Sequence, residues 1–223
     1  MSELLPYISL DSGKNPRYAI IWLHGLGADG HDFVPMVDEL KLPVAVRYIF
    51  PHANKIPVTV NGGYVMRAWY DISSNRIASE QDELGIRRAA LQINALIEKQ
   101  IASGIPAKRI FLAGFSQGGA IALHVGLRSP SVLAGVLVLS SYLPLHKNAE
   151  QEITAAAKSC EIFMAHGKHD QVVPYALGET SVARLNALNC KVSWHAYDME
   201  HSLCAAEIAD IQNWLGEKIA TQA

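Results

Sequence analysis

The stretch Arg109-Ile-Phe-Leu-Ala-Gly-Phe-Ser-Gln-Gly-Gly-Ala-Ile-Ala-Leu123 changes character halfway along. Ile110, Phe111 and Leu112 form the β-branched and aromatic run of a buried strand, and Ala120, Ile121, Leu123, Val125 and Leu127 follow at helical spacing. Between them, Gly114-Phe115-Ser116-Gln117-Gly118 places a serine at the apex of a strand-to-helix turn, with glycine two residues to either side. Side chains at the flanking positions would collide in so sharp a turn, and the serine itself sits in strained backbone space. Its hydroxyl then stands clear, beside the free N–H groups of a helix N-terminus. Two readings of Ser116 are open, a nucleophile or an ordinary N-cap. The first demands a base, an acid and an oxyanion site elsewhere in the chain.

Bulk properties narrow the setting. At 223 residues and 50% hydrophobic composition the chain can bury one substantial core, and a single α/β domain over 1–223 is expected. A net charge of −2 with 18% charged residues gives no footprint for a nucleic-acid partner. Cys160, Cys190 and Cys204 are an odd, sparse set without framework spacing, which reads as reduced thiols in a cytoplasmic protein. Met1 to Pro6 lacks a basic region and a long apolar run, so no signal peptide is expected, and no window reaches the length of a membrane span.

Around the central unit, strand-like and helix-like segments alternate. Arg17 to Leu23, Val44 to Phe50, Ala134 to Leu139, Glu161 to Ala165 and Lys191 to Tyr197 read as strands. Helices are expected over His31 to Leu40, Gln81 to Ser103, Ala149 to Lys158, Tyr175 to Leu188 and Cys204 to Ile219. Asn61-Gly62-Gly63 is a turn signal for a small hairpin between Val58-Thr59-Val60 and Tyr64-Val65-Met66. The irregular region around 56–81 is long enough to suggest a substrate-proximal loop. Apolar strands alternating with helices imply an α/β fold, a mostly parallel sheet covered on both faces. Ligand sites in such sheets lie beyond the C-terminal strand ends.

The catalytic candidates are therefore residues just after strands. Nine histidines compete for the base. His24 ends a strand, His52 lies in a loop, His124 falls in a helix and His195 within a strand, whereas His201 follows the last strand after Asp198-Met199-Glu200. For the acid, Asp170 lies beyond a strand end in Gly167-Lys168-His169-Asp170, with Asp198 and Asp71 as rivals. Asp198 reads more simply as a turn cap. Choosing Asp170 gives the chain order Ser116, Asp170, His201, the order used by the α/β-hydrolase architecture. The oxyanion hole is expected from the backbone N–H of Gln117 and of Leu26, in His24-Gly25-Leu26-Gly27. The same loop matches a dinucleotide fingerprint, Gly25-Leu26-Gly27-Ala28-Asp29-Gly30, but the next strand ends Phe50-Pro51-His52 with no acid for a ribose. His166, His169 and Asp170 resemble metal ligands without completing a known spacing. No cofactor and no metal are expected.

With these pieces placed, the chain resembles the phospholipase/carboxylesterase family of α/β-hydrolases, which includes acyl-protein thioesterases and small bacterial carboxylesterases. The resemblance runs from about Ala19 to Trp214. It rests on His24-Gly25-Leu26-Gly27 with Asp29-Gly30, on Pro57-Val58-Thr59 with Asn61-Gly62-Gly63, and on Met66-Arg67-Ala68-Trp69-Tyr70-Asp71. Gly114 to Gly119, His166-Gly167 with Asp170 and Val173-Pro174, and His201-Ser202 with Cys204 complete it. It implies a triad of Ser116, Asp170 and His201 and oxyanion donors at Leu26 and Gln117. It implies hydrolysis of carboxylic esters or thioesters, with a small ester, a lysolipid or an acylated protein as candidate substrates. Met66, Trp69, Tyr70 and Ile72 are candidate walls of an acyl site, or ordinary core. Glu200 stands where many relatives of this architecture carry glycine before the catalytic histidine; it either faces solvent or biases the site against anions. The rival functional readings are a ligand-binding protein on a hydrolase scaffold and a lactone or peptide hydrolase using the same triad. Monomer or dimer is left open.

Overall fold

The computed structural model describes residues 4–74 and 80–221. Part of the 56–81 region, at 75–79, and the first three residues of the N-terminal segment therefore lie outside the described residues.

The interior is set by strands that are apolar on both faces. Strands β1 (Tyr7–Asp11), β2 (Tyr18–Leu23), β3 (Val46–Pro51), β6 (Ile110–Phe115), β7 (Gly135–Leu139), β8 (Glu161–Gly167) and β9 (Lys191–Tyr197) join one sheet, in the order β1-β3-β2-β6-β7-β8-β9. All neighbours are parallel except β1, which runs antiparallel to β3. All six residues of β2 are buried, and they divide by parity: Ala19, Ile21 and Leu23 face one core, Tyr18, Ile20 and Trp22 the other. This is the period-2 pleat of a strand sandwiched between helical layers. The first core is closed by α2 (Glu83–Ala102), α3 (Gln117–Arg128), α4 (His146–Glu152), α5 (Ala155–Ser159) and α6 (Tyr175–Ala187); the second by α1 (Met36–Glu39) and α7 (Ala205–Thr221). The expected hairpin forms from β4 (Lys55–Val58) and β5 (Tyr64–Arg67), turning through Thr59–Asn61 and a left-handed Gly62.

Three points differ from expectation. Ala149 to Lys158 is not one helix: α4 ends at an extended Ile153, and α5 starts afresh with the Thr154 side chain accepting from Ala157 N. His31 to Leu40 is not one helix. Asp29 caps the His31 N–H of a tight 3-10 turn at Gly30–Phe33, and α1 starts only at Met36, because Pro35 has no N–H with which to continue the turn. The edge strand β1 has no counterpart in the sequence reading. Ser9, Leu10 and Asp11 are exposed, so the segment lacks the apolar run that marks the central strands.

Helix α7 carries a feature with a measurable consequence. Glu207, in its first turn, is fully buried, and neither carboxyl oxygen has a well-formed hydrogen bond among the described residues. Burial pushes its pKa up to about 8, against the smaller opposing pull of the Cys204 amide. The folded protein thus holds a proton that the unfolded chain releases above the ordinary carboxylate range, so stability falls as pH rises towards 8. Glu207→Gln is expected to raise stability at pH 7 by up to about 3 kcal/mol, seen as a melting point several degrees higher. Its melting point should also vary less between pH 5 and 8 than that of the wild type; an unchanged pH slope would disprove the assignment.

Candidate active site

Ser116 lies between β6 and α3 with φ 54° and ψ −120°, a conformation outside the regions L-residues ordinarily occupy. The glycines make that geometry possible. A Cβ at Gly114 would stand 2.3 Å from the Gly118 carbonyl oxygen, and one at Gly118 would stand 2.4 Å from that of Leu23. The strained backbone is held from two sides. Ser116 N donates to Leu139 O at 2.9 Å, and Ser141 Oγ donates to Ser116 O at 2.7 Å. Ser116's side chain makes no capping bond to α3, which removes the N-cap reading.

The other candidates arrive from neighbouring strand ends. Asp170 follows β8, and His201 follows β9. His201 Nδ1 lies 2.7 Å from Asp170 Oδ2, with the carboxylate wholly buried and the imidazole partly exposed. Asp170 Oδ1 accepts from the N–H groups of Val172 and Val173, both at 2.8 Å. The His201 ring rests on Phe115, the residue before Ser116, with centroids 4.7 Å apart. The rival acids are engaged elsewhere. Asp198 pairs with His169 on the surface at 2.6 Å, and Asp71 receives Thr59 N and Oγ1 at 2.7 and 2.6 Å.

Other histidines are accounted for by structure. His24 Nε2 accepts from Ala53 N at 3.0 Å, so Nδ1 carries the proton that meets Gly25 O at 2.7 Å; burial lowers its pKa to about 4. His124 is buried in α3, its pKa lowered by burial to about 3. His195 stacks on Phe163, centroids 4.4 Å apart.

The neutral His24 shapes the loop that follows β2. Gly27 N donates to Arg67 O of β5 at 2.9 Å and Ala28 N to Gly25 O at 3.3 Å, while Leu26 N has no partner among the described residues. A Cβ at Gly25 would lie 3.6 Å from that of Ser116, so this loop runs directly beside the serine. Gln117 opens α3, and its N–H is one of those without an intrahelical acceptor. Its side chain has a second task that the sequence reading missed: Oε1 accepts from Trp69 N at 2.9 Å and Nε2 donates to Tyr70 O at 2.8 Å. Any Gln next to a turn serine looks like a helix-start residue, so nothing local signals that staple.

Of the four candidate acyl-site residues, Met66 is half-buried, with its Sδ 3.7 Å from a Cβ at Gly27, and Ile72 is half-buried against the core. Trp69 and Tyr70 belong to the core. The Trp69 indole donates to His24 O at 2.8 Å, and the Tyr70 hydroxyl meets that of Tyr142 at 2.7 Å. Glu200 is exposed.

The Gly25–Gly30 motif leads into a 3-10 turn rather than a long helix, so it offers no phosphate-binding helix start. Asp29, His31 and His52 do cluster, within 4.8 Å by their ligand-type atoms. Part of this set is engaged within the loop: His52 Nδ1 accepts from Gly30 N at 3.0 Å, and Asp29 Oδ1 receives His31 N and Nδ1 at 2.8 and 2.9 Å.

Strand order and the position of the elbow define an α/β-hydrolase. The chain belongs to the phospholipase/carboxylesterase family, whose model matches residues 9–219, and it is a carboxylic ester hydrolase. It is 39% identical to acyl-protein thioesterase 1 of Neurospora crassa over 211 residues, covering 90% of this chain and 86% of that one. Among solved structures it is similar to SOBER1 of Arabidopsis thaliana, with a TM-score of 0.86 and 31% identity over 91% of this chain and 99% of the other. Acyl-protein thioesterase 2 of Zea mays superposes with a TM-score of 0.83 at 25% identity, covering 96% and 99%. Among the described residues, no helix is long and apolar enough to cross a membrane.

Proposed function

We propose that Ser116, Asp170 and His201 are the catalytic triad of this esterase and that the N–H groups of Leu26 and Gln117 form its oxyanion hole. His201 Nε2 takes the hydroxyl proton as Ser116 Oγ attacks the acyl carbonyl. The two N–H groups hold the developing oxyanion, and His201 then gives its proton to the departing alcohol or thiol. Water, deprotonated by the same ring, cleaves the acyl-enzyme and releases the carboxylic acid. Asp170 stays ionised and fixes the ring so that Nδ1 carries a proton and Nε2 is free to accept one. The observation that carries this reading is the 2.7 Å Asp170–His201 contact, on a ring seated against the elbow residue Phe115.

Named acyl-protein thioesterases among its relatives support thioesters, with acylated protein as one source, besides small esters and lysolipids. We place the acyl chain along Met66 and Ile72, with Trp69 and Tyr70 as the buried backing of that wall. The free thiols Cys160, Cys190 and Cys204 fit a reducing cytoplasm. A fluorophosphonate should label Ser116 and no other residue, as mapped by mass spectrometry; an unlabelled elbow would reduce the chain to a scaffold without chemistry. On that same preparation, a chain-length series of paired esters and thioesters should show turnover of both bond types. Absence of thioester turnover at every length would withdraw the thioesterase reading.

A further inference from the structure

Asp170 is met by one more side chain than a triad requires. His166, near the end of β8, is fully buried. Its Nε2 lies 2.8 Å from Val173 O and 3.3 Å from Asp170 Oδ2, the oxygen that also meets His201 Nδ1. A carbonyl oxygen can only accept, so Nε2 carries the ring proton and donates it to Val173 O, with Asp170 Oδ2 beside that bond at 3.3 Å. Nδ1 is then a bare acceptor. It is buried without a partner among the described residues, and a Cβ at Gly178 of α6 would stand only 2.7 Å away. Trp194 of β9 packs on the same ring, its centroid 6.1 Å distant. A buried polar atom left unmatched calls for a reason, and the other nitrogen supplies it.

We propose that His166 is a positioning residue for hydrolysis, its Nε2–H holding Asp170 Oδ2 so that the carboxylate faces His201 in a single orientation. The proposal rests on the triad reading above. The carboxylate receives three N–H hydrogen bonds, Val172 and Val173 on Oδ1 and His201 on Oδ2, and the His166 Nε2–H stands 3.3 Å from Oδ2 as a fourth, longer contact. The titratable groups facing His166 are Asp170 and His201, with Tyr175 of α6 in ring contact at 6.0 Å; β9 presents Trp194. Burial lowers the pKa of His166 more than the Asp170 charge raises it, so the ring contributes a neutral donor rather than a second cation. A neutral donor tempers the field that Asp170 exerts on His201. Without it, Oδ2 would favour protonated His201 more strongly, and the carboxylate would lose one of its fixed contacts.

Two variants separate positioning from packing. His166→Phe keeps the ring and removes the N–H, whereas His166→Gln returns an amide N–H near the place of Nε2. His166→Phe is expected to lower kcat/KM roughly tenfold to a hundredfold, the loss typical when the outer support of a metal-bound histidine is removed. The acid limb of its kcat/KM profile should move to higher pH by about half a unit. His166→Gln should recover most of the rate and the wild-type limb at an equal or lower melting point. In the wild type, long-range 1H–15N spectra should show His166 as the neutral Nε2–H tautomer throughout the active pH range, a readout that holds even if a variant fails to fold. A His166→Phe enzyme with wild-type rate and limb would overturn the proposal. So would equal losses in both variants with an unmoved limb, or an Nδ1–H or charged His166. Ser116→Ala, assayed alongside, tests the triad separately, since residual activity there condemns the triad whatever the state of His166.

Discussion

Ser116→Ala is expected to lower kcat by about a millionfold, the loss seen when another serine hydrolase is deprived of its nucleophile, while the melting point stays close to that of the wild type. Both halves of this expectation come from the elbow. The hydroxyl makes no capping bond to α3, so its removal leaves no structural donor or acceptor unmatched. Alanine keeps the Cβ, so the strained backbone at φ 54° is neither relieved nor worsened. The contacts that hold it, Ser116 N to Leu139 O and Ser141 Oγ to Ser116 O, use only main-chain atoms of Ser116. What is lost is the atom proposed to attack. Ester turnover and thermal unfolding measured on one preparation decide the matter. Retention of more than about a hundredth of the activity would place the nucleophile elsewhere.

Asp170→Asn should cost about ten-thousandfold in kcat, the size measured for the corresponding change in a protease of unrelated fold. The mechanism follows from which atoms the two carboxylate oxygens meet. Oδ1 accepts two backbone N–H groups, so the amide must turn its oxygen towards Val172 and Val173. Its NH2 then falls where Oδ2 was, facing His201 Nδ1 and His166 Nε2. To accept from that NH2, His201 must carry its proton on Nε2, the nitrogen needed to receive the serine proton. The variant should fold and should label slowly with a fluorophosphonate. Near-wild-type labelling would show that Asp170 does not set the tautomer.

Much of this was legible along the chain because it depends on local patterns. The apolar runs at Tyr18–Leu23 and Gly135–Leu139 can only be strands buried on both faces, and Gly114-Phe115-Ser116-Gln117-Gly118 can only turn sharply. Failures occurred where the local signal was weak or outvoted. β1 is half-exposed and looks like loop, and the 3-10 turn at Gly30–Phe33 is imposed by an aspartate cap and a proline within an otherwise helical pattern.

For the proposed site, the candidates Ser116, Asp170 and His201 and the loop glycines could be picked out along the chain, since each candidate had to follow a strand. The contacts across strand ends were not. That Asp198 pairs with His169 follows from the parallel pairing of β8 and β9, that Gln117 staples Trp69 and Tyr70 follows from the packing of α3 beside the segment after β5, and that His166 meets Asp170 follows from the path of the loop after β8. The sequence by itself determined most of the central strands and helices and which candidate residues follow strand ends, because backbone sterics and apolar periodicity act over a few residues. Only the tertiary structure set the distances between those side chains, 2.7 Å from His201 Nδ1 to Asp170 Oδ2 among them, because hydrogen bonds reach about 3 Å and respond to position in space rather than along the chain.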